Sequence, residues 1–218
     1  MNIHDPTEPR AGEWRPWVLK NGAEIEPPPP IPYDSAAYWD EVEEVRRTAA
    51  ALTPQQKKIA DDWNLDLGTI TPAGVWNRHA RRIALERKLD IAETTRLYAT
   101  LNIAMMDAFI ACWHVKMKWW TQRPITAIRD KYDANFMPHI VTPAFPGYVS
   151  GHASASGAAS VVLGAFFPDQ VDQFAQAAEA AARSRLFGGI HFSSDNNEGL
   201  KLGRAIGERV IARRQLQP

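Results

Sequence analysis

The sequence predicts an all-α protein built as a single helical bundle, and three observations carry that prediction. Apolar residues recur at three- and four-residue steps along most of the chain after residue 33. Thr-Pro and Ser-Gly pairs open successive segments of that kind, as helix starts do. No segment shows the strict alternation of a half-buried strand, and no internal repeat is visible. A chain of 218 residues buries roughly 70% of its unfolded surface, so one core suffices without metal or disulfide staples.

Taken in order, residues 1–33 carry Pro6, Pro9, Pro16, Pro27 to Pro30 and Pro32, which favours an extended arm wrapping the body or a partner over a domain. The single helical domain is expected over 34–218. Its first helix shows Tyr38, Val42, Val45 and Ala49 at helical spacing. Thr53-Pro54 supplies an N-cap followed by proline at the first helical position, and Thr71-Pro72 repeats the signal ahead of Trp76, His79, Ile83 and Leu85. The clearest helix runs from about Ala92 to Trp119, with Leu97, Leu101, Ala104, Ala108, Cys112, Val115 and Trp119 in one stripe and Pro124 placed to end or bend it. A loop containing Pro138, Pro143, Pro146 and Gly147 leads to Ser150-Gly151, then to small residues that let helices approach closely, up to Phe167. Pro168-Asp169 opens a helix to about Phe187, Gly188-Gly189 breaks it, and Ser194-Asp195 caps a last helix to about Arg213.

Charge narrows the function. The 25 basic and 25 acidic side chains balance, whereas a general nucleic-acid or membrane-surface binder carries a basic excess. The single cysteine, Cys112, sits among apolar residues as a buried inert thiol would, and no signal peptide or membrane-length apolar run is visible. A soluble, cytoplasmic protein is expected. His79, His114 and His139 have no cysteine or carboxylate at zinc-ligand spacing. Asp107 interrupts an apolar helix face and needs a partner there, for which an arginine is the natural choice. Glu198 follows Asp195 at capping-box spacing, and the Trp119-Trp120 pair suits core packing.

Three segments place reactive groups where a helix meets a loop. Lys116 and Arg123-Pro124 are two turns apart, so both cations face one way if the helix persists, though a solvated basic helix end fits the same pattern. Ser150-Gly151-His152 puts a hydroxyl, free helix-start N–H groups and an imidazole together, which makes either an anion site or an ordinary serine cap. Ser184-Arg185, Gly188-Gly189, His191 and Asp195 offer a guanidinium and an imidazole whose second nitrogen a carboxylate can hold. Reading Asp195 as a mere cap leaves Arg185 and the double glycine unconnected.

In this order the three segments resemble the signature joining type 2 phosphatidic acid phosphatases, bacterial non-specific acid phosphatases and vanadium-dependent haloperoxidases. That signature is Lys, six residues, Arg-Pro; Ser-Gly-His; and Ser-Arg, five residues, His, three residues, Asp. The resemblance implies the all-α bundle of that superfamily, with vanadate as cofactor or phosphate in the same site. It implies that Lys116, Arg123 and Arg185 neutralise oxyanion oxygens while Ser150 and the Gly151 N–H hydrogen-bond them. His191 would bind vanadium axially, oriented by Asp195, and His152 would be the acid–base group opposite.

Local words lean to the haloperoxidase branch: Arg123 to Arg129, Phe145-Pro146-Gly147-Tyr148, Ser184 to Phe192, and Gly12 to Pro16 look like bacterial vanadium-haloperoxidase homologues. Thr121-Gln122 and Val149 depart from their usual pattern, with Trp119 or Trp120 the alternative source, against core packing, of the aromatic wall that the resemblance implies for a halide site, and the N-terminal helical bundle that typically comes first is missing from this sequence. A homodimer covering the exposed face is therefore expected. The implied function is oxidation of halide by hydrogen peroxide, the alternatives being a soluble acid phosphatase with His191 as nucleophile and a non-halogenating phosphate- or diphosphate-binding homologue. Peroxide and halide, or a phosphate ester, are the expected partners.

Overall fold

The computed structural model describes residues 5–65 and 68–215, with side chains to residue 213. Eight α-helices are described: α1 Ala36–Ala50, α2 Pro54–Asp62, α3 Thr71–Glu86, α4 Ile91–Trp119, α5 Pro124–Lys131, α6 Gly151–Phe166, α7 Val171–Phe187 and α8 Ser193–Gln215. Single 3-10 turns at Ala11–Glu13 and Pro168–Gln170 complete the helical content, and no strand occurs among the described residues. The fold is therefore all-α.

Local chemistry accounts for most helix boundaries. Full capping boxes, Thr53 with Gln56 and Asp90 with Glu93, start α2 and α4, and Ser35 and Ser150 accept first-turn N–H groups of α1 and α6. The expected Thr71 cap does not form: α3 starts at Thr71, whose φ is 60°, with no side-chain cap. Beyond the Gly188 cap of α7, Gly189 (φ 75°) takes a conformation glycine adopts without the Cβ clash, and the Ile190 N–H returns to Arg185 O at 3.1 Å. That reversal turns the chain back toward His191.

The core is organised around α4, α6 and α8, with α6 packed most extensively on α8. Ser150 O lies by Gly199, Ser154 O by Gly203 and Ala158 O by Gly207, so α6 and α8 advance together and run parallel. The three glycines recur every four residues, lining one face of α8. Both helices therefore start at the same end of the bundle, where their N-terminal N–H groups and dipoles are positive. The Ser150 N–H donates to Asp195 O at 2.9 Å, locking the two starts together.

A smaller core joins α1 to α5 and to the loop before α8, through Tyr38, Val42, Val45, Ala127, Ile128 and Phe192. The N-terminal arm runs against α4. Asp107, fully buried, accepts from the backbone N–H groups of Trp17, Val18 and Leu19 at 2.8, 2.8 and 3.0 Å. Its partner is thus the arm's own backbone and not the arginine expected, because three converging N–H groups satisfy a carboxylate as fully as a guanidinium does. Further along, Glu26 accepts from Lys118, and the Tyr148 hydroxyl donates to Pro28 O at 2.6 Å. No helix among the described residues is long and apolar enough to cross a membrane.

Candidate active site

The three segments singled out in the sequence meet at the shared start of α6 and α8. Lys116 lies in the last turn of α4, fully buried, and its Nζ donates to the carbonyls of Pro146 and Gly147 at 2.7 Å each. α4 does not persist to Arg123. It ends at Trp119, and Trp120 takes the left-handed conformation (φ 47°), so Arg123 converges with Lys116 through a turn and becomes the residue before α5. Pro124 opens α5 and does not bend α4.

Arg123 is fully buried, and all but one of its nitrogens are engaged. Nε donates to Phe145 O at 2.9 Å, while Nη1 serves Ile190 O at 2.8 Å and His191 Nε2 at 2.7 Å. Nη2 has no hydrogen-bond partner among the described residues. A buried guanidinium nitrogen left so is costly unless an acceptor reaches it. The Phe145 ring lies 5.0 Å from the Arg123 guanidinium carbon and 5.2 Å from Lys116 Nζ, walling both cations from solvent. Burial pulls the Lys116 ammonium down to about 7 and the Arg123 guanidinium down to about 10.

The hydrogen bonds assign the histidine tautomers. Arg123 Nη1, which only donates, faces His191 Nε2, so Nε2 carries the lone pair and the ring proton is on Nδ1, 2.9 Å from Asp195 Oδ2. His152 Nε2 lies 2.9 Å from Trp63 O, so there the proton is on Nε2. Burial first, then neighbouring cations, hold both rings well below the usual imidazole range; Arg123, Lys116 and Arg185 all act on His191. The rings are neutral at physiological pH.

Arg185 Nη1 also donates to Trp63 O, at 2.6 Å, so a guanidinium and an imidazole address one oxygen atom. Ser150 is buried at the cap of α6, its Oγ accepting from Ala153 N at 3.4 Å while its own proton has no acceptor among the described residues. Gly151 is the first residue of α6. Packing does not require a glycine there, since an added Cβ meets Trp113 at an ordinary 3.5 Å.

Asp195 does not cap α8 as expected. The helix starts at Ser193, Asp195 stands in its first turn, and its Oδ2 accepts from the Phe192 N–H at 3.2 Å as well as from His191. Glu198 pairs with Lys201 instead of joining a capping box. Trp119 and Trp120 are 38% and 46% exposed, so they are not core. They line a cavity of about 550 Å³ together with Tyr38, Glu41, Phe192 and Asp195. His114 meets Glu26 and His139 meets Asp61, both outside the cradle.

The sequence reading missed Trp63, which acts through a carbonyl that no side-chain pattern announces. It also missed Glu41, whose carboxylate accepts from Ser194; its signal was an acid placed in the Tyr38–Val42–Val45 stripe.

The geometry can be set beside known proteins. The family model described as VCPO second helical-bundle domain matches residues 96–173 and 168–217. The vanadium chloroperoxidase of Curvularia inaequalis is 28% identical over 127 residues, covering 46% of this chain and 20% of that protein. A bacterial vanadium-dependent iodoperoxidase structure superposes with a TM-score of 0.89 at 35% identity, covering 96% of this chain and 58% of that one. The holo form of a bacterial vanadium-dependent chloroperoxidase gives 0.83 at 17% identity over 96% of this chain and 55% of that one, which is a likeness of fold. The chain thus spans less than two thirds of the length of these relatives. With the family model matching more than half of it, the chain belongs to the VCPO second helical-bundle family, within the vanadium-haloperoxidase superfamily.

Proposed function

We propose that this chain is a vanadate-dependent haloperoxidase, converting halide, hydrogen peroxide and a proton into hypohalous acid and water. The observation that carries the reading is the His191 Nε2 lone pair, fixed by Asp195 on its other nitrogen and set among buried cations. Simple anion binding needs the cations but no oriented neutral imidazole. The residues fit a tetrahedral oxyanion: Arg123 Nη2 lacks an acceptor, the Ser150 proton is available, and His152 and Arg185 already direct their donors at one oxygen.

Vanadate would be held by His191 Nε2, with Lys116, Arg123, Arg185, Ser150 and the Gly151 N–H around its oxygens. When bound, it supplies a Lewis-acidic centre that activates peroxide toward attack by halide. Asp195 keeps the proton on His191 Nδ1, so Nε2 carries a lone pair that would ligate on exchanging its contact with Arg123 Nη1. His152, protonated on Nε2 in its neutral form, would hold and move a proton in the same pocket. Backbone carbonyls solvate Lys116 and Arg123 in the absence of an anion, and the Arg123 guanidinium stays charged, so the site is preorganised.

A second reading, acid phosphatase, rests on the same lone pair, which can attack phosphorus while His152 protonates the leaving oxygen. A transmembrane PAP2 type phosphatidylglycerolphosphate phosphatase from Bacillus subtilis shares the fold, with a TM-score of 0.57 at 14% identity over 85% of this chain and 90% of that one. A cytoplasmic homodimer completes the proposal: the buried thiol of Cys112 suits a reducing compartment, and exposed Trp17, Ile91 and Val141 suit a second copy, which sedimentation tests.

One paired assay decides the chemistry. Purified protein is given vanadate, peroxide and iodide or bromide and assayed for halogenation; without vanadate it is assayed for phosphomonoester hydrolysis. Halogenation that disappears in His191→Ala is expected. Hydrolysis without halogenation overturns the reading in favour of the phosphatase, and neither activity, with orthophosphate still bound, in favour of a binding homologue.

A further inference from the structure

Helices α1, α2, α4 and α6 supply their own first-turn acceptors from Ser35, Thr53, Asp90 and Ser150. Helix α8 cannot, because the residue before it is Phe192, which has no side-chain acceptor. The missing acceptor comes from a distant part of the chain. Glu41 on α1 accepts the Ser194 N–H on Oε1 at 2.7 Å and the Ser194 hydroxyl on Oε2 at 2.6 Å. Both carboxylate oxygens thus grip one residue of the first turn of α8.

That turn also holds Asp195, the next residue, whose Oδ2 accepts from His191 Nδ1. The position of the carboxylate is fixed from two sides, by Glu41 through Ser194 and by the Ser150 N–H through the Asp195 carbonyl. Glu41 rests on a firm base. It projects from the face of α1 that carries Tyr38, Val42 and Val45, which pack on Ala127, Ile128 and Phe192, and the Tyr38 and Phe192 rings meet edge-on at 5.6 Å. A negative group at the positive start of α8 is favourable in itself.

We propose that Glu41 is a positioning residue for the His191–Asp195 pair: by capping α8 from α1 it sets the imidazole orientation on which oxyanion binding depends. The inference rests on the function proposed above in its link to oxyanion binding, and in its link to His191 geometry stands apart from it. Partners that orient a ligating histidine typically change affinity 10- to 100-fold when removed.

The test uses the full chain with Glu41→Ala, Glu41→Gln and Val45→Ala. Glutamine keeps both contacts, since its oxygen can accept the N–H and its amide can donate to a reversed Ser194 hydroxyl. Val45→Ala loosens the packing of α1 without touching Ser194. Two quantities are read: the ¹⁵N imidazole shifts of His191, and the affinity for orthophosphate by calorimetry. Glu41→Ala is expected to move the His191 signals toward a mixed tautomer and weaken phosphate binding about 10-fold or more. Glu41→Gln should restore both within about twofold, and Val45→Ala should lower the melting temperature while leaving both in place. The proposal is overturned if Glu41→Ala changes neither quantity, if Gln fails to rescue, or if Val45→Ala moves them as far as Glu41→Ala does. Should the unaltered chain bind no phosphate, the proposed function fails, and the His191 signals still judge Glu41.

Discussion

Gly203→Ala is a severe test of the parallel α6–α8 contact. A Cβ at this position would stand 2.0 Å from Ser154 O and 2.9 Å from Ala158 N, both of them α6 backbone. Neither can rotate aside, and an ordinary contact begins at 3.4 Å, so the helices must part by about 1 Å or more. A gap of that size forfeits a quarter to a half of each dispersion contact it opens, against a gain of roughly 1 kcal/mol from replacing glycine in a helix. Overpacking at the upper end, about 3 kcal/mol or somewhat more, leaves a net loss of about 2–3 kcal/mol. The damage reaches the cradle, because Gly203 lies only about 12 Å along α8 from Asp195 and α6 starts with Ser150 and His152. Urea unfolding measures the stability and calorimetry with orthophosphate the affinity, which should fall about 10-fold. Gly164→Ala is the control: there the Cβ meets a movable Val171 side chain at 3.2 Å, and the expected change is under about 1 kcal/mol. A Gly203→Ala chain within about 0.5 kcal/mol of the original would refute the close parallel packing.

Asp107→Ala removes the acceptor of three arm N–H groups, one of them at buried Leu19, and should cost about 3–5 kcal/mol, lowering the melting temperature by roughly 10 °C; a shift of under about 2 °C in calorimetry would show that the arm is not held there. Burial raises the Cys112 thiol above its ordinary range, so the native chain should leave an aromatic disulfide reagent unreacted and titrate one thiol only in denaturant, and a fast native reaction would contradict that enclosure. Acid should destabilise the fold. His152 and His191 are depressed in the folded state, so their contribution is present above the unfolded imidazole value near 6.5 and is lost as pH falls below it. Asp195, raised by burial to about 7, opposes one of the two, so stability still falls as pH drops below about 6.5. Urea midpoints across that range measure the slope, which His152→Gln should flatten; a slope unchanged by the substitution would overturn the assignment.

The sequence made the helices legible where local signals agree. The stripe from Leu97 to Trp119, the cap at Thr53 and the Gly188–Gly189 break each depend on residues within a turn or two, and each element stands within two residues of its expectation. The cations and histidines were legible through spacing and resemblance, since a polar group at a helix edge has few other uses in that combination. What escaped is non-local. Arg123 reaches Lys116 because Trp120 reverses the chain, and no helical projection contains that turn. Asp107 is answered by amides about 90 residues away, and any residue type carries such an amide. Gly199, Gly203 and Gly207 carried a readable four-residue spacing, but the helix they fit, α6, is separated from α8 by α7, and only packing reveals the match.

Buried cations brought this close together have to be satisfied by the protein itself, and the carbonyls explain how. Pro146 and Gly147 take Lys116, Phe145 and Ile190 take Arg123, and Trp63 takes Arg185 with His152. These oxygens satisfy donors without cancelling charge, because a carbonyl is a dipole and not an ion. Asp195 contributes one negative charge at most, and burial raises it against ionising. Positive potential is thus left over in a region that water cannot easily screen, and the N-termini of α6 and α8 add to it. An arriving oxyanion meets charge already in place, with Arg123 Nη2 as the donor that no carbonyl has claimed. Burial has also pulled Lys116 down to about 7, so a bound anion, by favouring its protonated form, strengthens the charge that holds it. On the function proposed above, a cradle so built would select for charge and tetrahedral shape but not for the central atom. Which chemistry follows rests with the two neutral imidazoles, whose tautomers the backbone and Asp195 have set in advance.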